Sequence, residues 1–97
     1  MAVVLSLRWA GVTPEQYDAM RDAVGWEAQV PDGLVLHTAW FEPGVLHVTD
    51  VWNAEGHFQR FFAERLAPAV QEVGLAGQPD VHFSPLHRHF VAPGAGS

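Results

Sequence analysis

Residues 33–66 read GLVLHTAWF (33–41), EPG (42–44), VLHVTDVW (45–52) and NAEGHFQRFFAERL (53–66). The first and third pieces are rich in β-branched and aromatic residues, which suit a pleated surface. Between them Pro43-Gly44 is a turn pair, because proline presets the first central angle and glycine tolerates a positive second one. In the last piece Phe58, Phe62, Leu66 and Val73, joined by Phe61 and Val70, form a broad apolar stripe at helical spacing. Strand, tight turn, strand, helix is the order these patterns predict. Two adjacent strands carrying His37 and Asp50, with a helix able to close over them, would supply both a wall and polar groups for a pocket.

The hairpin register decides whether those two residues meet. A two-residue connection pairs Phe41 with Leu46, Trp40 with His47 and His37 with Asp50, whereas a one-residue shift pairs His37 with Thr49. Both faces of these strands are largely apolar, so the hydrophobic pattern does not choose between the registers.

Outward from this unit, residues 2–8 alternate as a first strand. Thr13-Pro14-Glu15-Gln16 then opens a helix, with Thr13 as cap, Pro14 at the first helical position and Gln16 closing a capping box. Tyr17, Met20 and Val24 recur on one side of that helix and Gly25 ends it. Trp26, in the loop to Asp32, is expected to pack as a lid or a core edge. Asn53 is placed to cap the second helix. Pro68 interrupts that helix by removing a donor and crowding the carbonyl of Glu64, so a kink or two segments are expected, with Gly74 as the end. Near the C-terminus Val81 and Phe83 alternate with His82 and Ser84, and the change of parity beyond Pro85 suggests a bulge around Ser84-Pro85. Residues 1–91 then make one domain, and 92–97 a disordered tail without packing residues.

The order strand, helix, strand, strand, helix, strand favours an α+β, ferredoxin-like βαββαβ fold: a four-stranded antiparallel sheet with both helices on one face. The other face poses a problem. Val35, Ala39, Phe41, Val48 and Trp52 alternate with Leu34, Leu36, Trp40, Val45 and Val51, so neither side is polar enough to be simply wet. An uncovered apolar sheet face signals a partner surface, and the economical solution is a two-fold homodimer in which two sheets face each other. A pocket can then lie between sheet and helices or between the sheets.

Composition narrows the chemistry. The chain of 97 residues has a net charge of -6, with no lysine and five arginines, which argues against nucleic acid and anionic membrane surfaces as partners. It has no cysteine, so disulfides, thiol nucleophiles and thiolate metal sites are excluded. The opening apolar run is too short, and lacks the basic lead, for a secretory signal, and a cytoplasmic location is expected by default. No phosphate-cradling glycine loop, nucleophilic serine motif or dinucleotide fingerprint is present.

The stretch HTAWFEPGVLHVTDVWNAEGHFQRFFAERLAPAV (37–70) resembles the strand–helix signature of the dimeric α+β barrel superfamily, in particular antibiotic-biosynthesis monooxygenase-like domains. The landmark is Asp50-Val51-Trp52-Asn53-Ala54-Glu55, a strand ending in Trp before a helix start and an acidic residue, followed by Phe58 and Phe62. The resemblance implies a dimeric barrel and a function among cofactor-free oxygenases, haem degraders, cyclases and isomerases. The haem-degrading branch carries a Trp and an iron-ligating His on the second helix. Phe61 and Gln71 stand at the corresponding positions here, so the resemblance stops short of haem and implies no cofactor.

His37 and Asp50 form the sharpest pair, because a carboxylate beside an imidazole fixes its tautomer. Such a dyad could take a proton from an acidic phenol or activated C–H bond of an aromatic or polyketide-like metabolite, a step that oxygenases and cyclases without cofactors both need. A buried histidine held by a carboxylate merely to fix the sheet is the plainer alternative. His87 is expected to reach the cavity as a second proton-handling group. His87 and His89 could instead chelate a metal with His82, although no complete ligand spacing is visible and no metal is expected. Phe41, Trp52, Phe58, Phe61 and Phe62 could wall a pocket for a flat apolar ligand, with Arg88 orienting its anionic group; as plain core aromatics they need no ligand. An enzyme of this kind stands against a non-catalytic ligand-binding or accessory dimer.

Overall fold

The computed structural model describes residues 1–94. In chain order the elements are β1 (Val3–Ala10), α1 (Pro14–Val24), β2 (Leu34–Glu42), β3 (Val45–Trp52), α2 (Glu55–Phe61), a π-helical turn (Phe62–Leu66), α3 (Ala67–Val73) and β4 (Asp80–Pro85). The four strands form one antiparallel sheet in the order β2-β3-β1-β4. This is the ferredoxin-like α+β architecture expected from the order of elements. β1 is therefore an interior strand.

The β2–β3 hairpin takes the two-residue register. Phe41 lies opposite Leu46, Trp40 opposite His47 and His37 opposite Asp50. Gly44, with φ of 76°, supplies the positive angle that the turn demands. The irregularity falls at the other end of the hairpin, where the register shifts between Leu34 and Leu36. Val35 is the extra residue of this bulge. It does not share the face of Ala39 and Phe41 as strict alternation predicts; Leu34 packs against the core instead and Val35 is exposed.

Leu5, Leu7 and Trp9 of β1 and Leu46, Val48 and Trp52 of β3 point to the helix-covered face and form the core with Met20, Trp26, Phe58 and Phe61. Trp52 is 1% exposed and has Phe58 and Phe61 against its indole at 5.5 and 5.6 Å between ring centres. The opposite face carries Leu36, Val51 and Val4 in one cross-strand row and Trp40, His47 and Arg8 in another. Among the described residues no helix covers it; Val51 is buried, but Leu36 and Trp40 remain 38% and 46% exposed.

The helix ends follow local chemistry. At α1 Thr13 accepts from the Gln16 N–H and the Gln16 side chain accepts from the Thr13 N–H, a complete capping box, and Gly25 closes the helix in the left-handed conformation. At α2 the first residue outside the helix is Ala54, not Asn53, and no side chain caps it. Pro68 cannot give the N–H that an α-helix would direct to Glu64. The chain widens just before it into the π-helical turn, where the Ala67 N–H reaches back to the Phe62 carbonyl. Arg65, in this turn, lies over the Phe61 ring at 5.2 Å and donates to the Val24 carbonyl at 3.0 Å, satisfying an end of α1 that would otherwise lack a donor.

β4 pairs with β1 without a register shift from Asp80 to Pro85, so the bulge expected around Ser84-Pro85 does not form. The strand simply stops there. Pro85 lies opposite Val3, the first residue of β1, and beyond a last bond from the Leu86 N–H to the Ala2 carbonyl the chain has no strand left to pair with. Of the tail expected at 92–97, residues 95–97 lie outside those described and Ala92–Gly94 are exposed.

Candidate active site

A cavity of about 80 Å³ lies between the sheet and the helices, the first of the two placements the sequence left open. Its walls are Leu, Val, Met, Phe and Trp side chains from β1, α1, β3, α2 and the intervening loops, and its titratable lining residues are Tyr17, His37 and Asp50. These three are bonded in series. His37 Nδ1 is 2.7 Å from Asp50 Oδ1, and His37 Nε2 is 2.7 Å from the Tyr17 hydroxyl. Asp50 is 5% exposed, and its second oxygen accepts from the Trp52 indole N–H at 3.1 Å.

This arrangement assigns the protons. A carboxylate only accepts, so His37 donates from Nδ1, and in the neutral ring the Nε2 lone pair then accepts from the Tyr17 O–H. The planes of the Tyr17 and His37 rings are 8° apart with centres 6.1 Å apart. The separation of parallel planes cannot exceed their shortest atomic contact of 2.7 Å, so the rings are offset instead of face to face, with the hydroxyl directed at the Nε2 edge of the imidazole. Burial raises the Tyr17 hydroxyl to about 12 from its ordinary value near 10, with Glu27 and Asp50 adding to the rise and Arg21 opposing it. Tyr17 therefore acts as a hydrogen donor across the whole working pH range.

Each partner is positioned by its element. Opposition across the β2–β3 ladder presents His37 and Asp50 on the same face. Two residues on, Trp52 shares Asp50's side of β3, which is why its indole can return to the carboxylate. Tyr17 stands one residue past the Thr13–Gln16 capping box, so the start of α1 fixes where the phenol points. Phe41 meets Tyr17 edge-on at 6.2 Å. Trp26 follows the Gly25 cap; it is 8% exposed, lines the cavity 5.7 Å from Tyr17 and 5.4 Å from His37 between ring centres, and its Nε1 is buried without a partner among the described residues.

Trp52, Phe58 and Phe61 thus stand in the cavity wall with His37 and Asp50. Phe41 and Phe62 pack beside the core without forming that wall. His87 and Arg88 are not brought to the cavity. Both are exposed in the segment after β4, because the sheet ends at Pro85. His89 is exposed there too, and among the described residues no group of three or more His, Asp or Glu side chains is gathered for a metal ion. Periodicity hid the two aromatic residues that matter most: Tyr17 reads as one more position of the α1 stripe and Trp26 as a loop residue. The available signal was that Tyr17 is the only tyrosine, on an apolar face where its hydroxyl needs a partner.

No protein-family signature matches the chain, and a search of curated proteins finds no match. Solved structures do match over nearly the whole length. The cofactor-independent oxygenase SnoaB from Streptomyces nogalater, as a point mutant, is 17% identical with a TM-score of 0.66, covering 91% of this chain and 95% of that one. The monooxygenase ActVA-Orf6 of Streptomyces coelicolor, in complex with nanaomycin D, is 19% identical with a TM-score of 0.62, over 94% and 92%. A protein of unknown function from Nitrosomonas europaea is 21% identical with a TM-score of 0.65, over 96% of each chain. The ferredoxin-like α+β fold of the single chain is therefore shared with these structures. No helix among the described residues is long and apolar enough to cross a membrane.

Proposed function

We propose that this chain is a homodimeric enzyme which, without an organic cofactor, abstracts a proton from an aromatic or polyketide-like substrate, oxygenation by dioxygen or rearrangement following. The observation that carries this reading is the Asp50–His37 hydrogen bond of 2.7 Å in the wall of an otherwise apolar cavity. A neutral imidazole oriented by a buried carboxylate is a base, and an apolar surround favours a delocalised aromatic anion over water as its neighbour. The similarity in fold to a cofactor-independent oxygenase and to a monooxygenase holding nanaomycin D supports the same kind of substrate. A purely ligand-holding wall would need no imidazole with both nitrogens engaged.

The cavity volume sets a condition. An apolar cavity of about 150 Å³ holds benzene, so about 80 Å³ is too little for even one ring. Substrate binding must displace part of the wall, and α1 with the Trp26 loop, like α2 and the π-helical turn, is a part not built into the sheet. For the partner, the open sheet face with Leu36 and Trp40 is the surface on which a second copy would sit. The test is oxygen uptake and product analysis with a panel of phenols, naphthols and anthrones. Wild type should turn over at least one of them, and His37→Ala should abolish turnover while keeping the fold. Turnover retained in the variant removes His37 from the mechanism.

A further inference from the structure

We infer that Tyr17 is the residue that meets the substrate, taking its proton while handing its own hydroxyl proton to His37. This rests on the proposed proton abstraction and changes which atom performs the first transfer. Both nitrogens of His37 are occupied, Nδ1 by Asp50 and Nε2 by Tyr17. A base needs a free lone pair, and while Tyr17 stays in place His37 has none to offer. The Tyr17 oxygen does: it donates one hydrogen to His37 and keeps its lone pairs, on a side chain that lines the cavity.

The transfer balances. The O–H or C–H bond of the substrate breaks and its electron pair stays on the substrate. The proton forms a new O–H bond on Tyr17 as the old one breaks, and the old hydroxyl proton forms the Nε2–H bond of His37. The products are a substrate anion, a neutral Tyr17 and an imidazolium facing Asp50. Burial raises the Tyr17 hydroxyl and so disfavours a free phenolate, which favours moving the two protons together. The near-parallel rings suit this, with the Tyr17 oxygen 2.7 Å from the accepting Nε2.

Trp26 supplies the complement. Its Nε1–H is a buried donor with no acceptor among the described residues, on a ring that lines the same cavity beside Tyr17 and His37. A buried orphan donor is costly, and a bound oxygen acceptor would relieve it. The anionic oxygen of the substrate is the acceptor that the relay creates.

4-Nitrophenol tests the relay because its anion is coloured. At a pH where the free probe is mostly protonated, wild type should hold it as nitrophenolate. Tyr17→Phe should still bind the ring, seen as tryptophan quenching, but its nitrophenolate should fall to the level of the free probe. Nitrophenolate equal to or above wild type in Tyr17→Phe overturns the relay and leaves Tyr17 as a plug over His37. No nitrophenolate in wild type, or wild-type amounts in His37→Gln, overturns the underlying base site as well. A second measurement needs no substitution: the chain has one tyrosine, so 3-fluorotyrosine labels Tyr17 alone. Its fluorine resonance should shift when 4-nitrophenol binds, and an unmoved resonance with the probe bound shows that Tyr17 does not touch it.

Discussion

Gly33 has no room for a side chain because the imidazole of His57 fills the space. A methyl group at Gly33 would press on Cγ of that ring and fall 2.7 Å from its Cβ and Cδ2. The backbone there also has φ of 85°, and the Gly33 carbonyl accepts from the Asn53 N–H at 2.7 Å, so the loop before β2 is held against the start of α2.

Gly33→Ala should therefore cost more than Gly44→Ala, which has a similar positive φ but open space around it. The left-handed backbone alone costs alanine about 1–2 kcal/mol, and forced overlap adds roughly 1–3 kcal/mol. Urea denaturation should place the Gly33 variant well below the Gly44 variant. Adding His57→Ala should recover the part of the loss due to the ring, and leave both the backbone part and the overlap with the His57 Cβ, which alanine retains.

The tyrosinate absorbance of the folded protein reports Tyr17 alone and should rise with a midpoint near 12 instead of 10. Between these values the unfolded chain has released a proton that the folded chain keeps. Stability should then fall as pH rises through that window, with the contribution of Tyr17 intact below about 10. Glu27→Gln should lower the midpoint, since the Glu27 carboxylate is the largest of the charges raising it. A midpoint at the ordinary tyrosine value would show the phenol to be solvated.

Asp50 accepts from two donors, so removing it strands both. Asp50→Ala should destabilise by about 2–4 kcal/mol, from the unpaired His37 Nδ1–H and Trp52 Nε1–H together with the lost packing. Asp50→Asn keeps the volume but has one accepting oxygen for two donors, so it should cost less. Thermal unfolding of the two variants beside wild type checks the order.

Trp40→Glu places a charge on the open sheet face, away from the cavity. If that face is the contact between copies, sedimentation should show a dimer for wild type and a monomer for the variant, with the monomer still folded. A wild-type monomer at all concentrations would remove the proposed interface.

Much of the site was legible because its two strands are joined by the shortest of turns. Pro43-Gly44 allowed only a few registers, and counting outward from a two-residue turn put the one that opposes His37 to Asp50 among them, though the pattern alone did not choose it over a one-residue shift. What periodicity could not reveal was contact between elements. Tyr17 and His37 belong to α1 and β2, and only the docking of the helix makes them neighbours. The bulge at Val35 was also invisible, because leucine and valine alternate there without a polar residue to mark a face. His87 and Arg88 were misplaced for a simpler reason: the pattern of β4 continues past Pro85, but β1 has no residues left to receive it.

The sheet order places β1 between β3 and β4, both of which follow it in the chain. On the ribosome, the first strand to emerge therefore waits with both edges bare, first for residue 45 onward and then for residue 80 onward. Until then Leu5, Leu7 and Trp9 are an adhesive segment exposed to every other nascent chain. Shielding by a chaperone matters most during this interval, and a premature stop before β4 would yield a species that clumps instead of a smaller soluble protein.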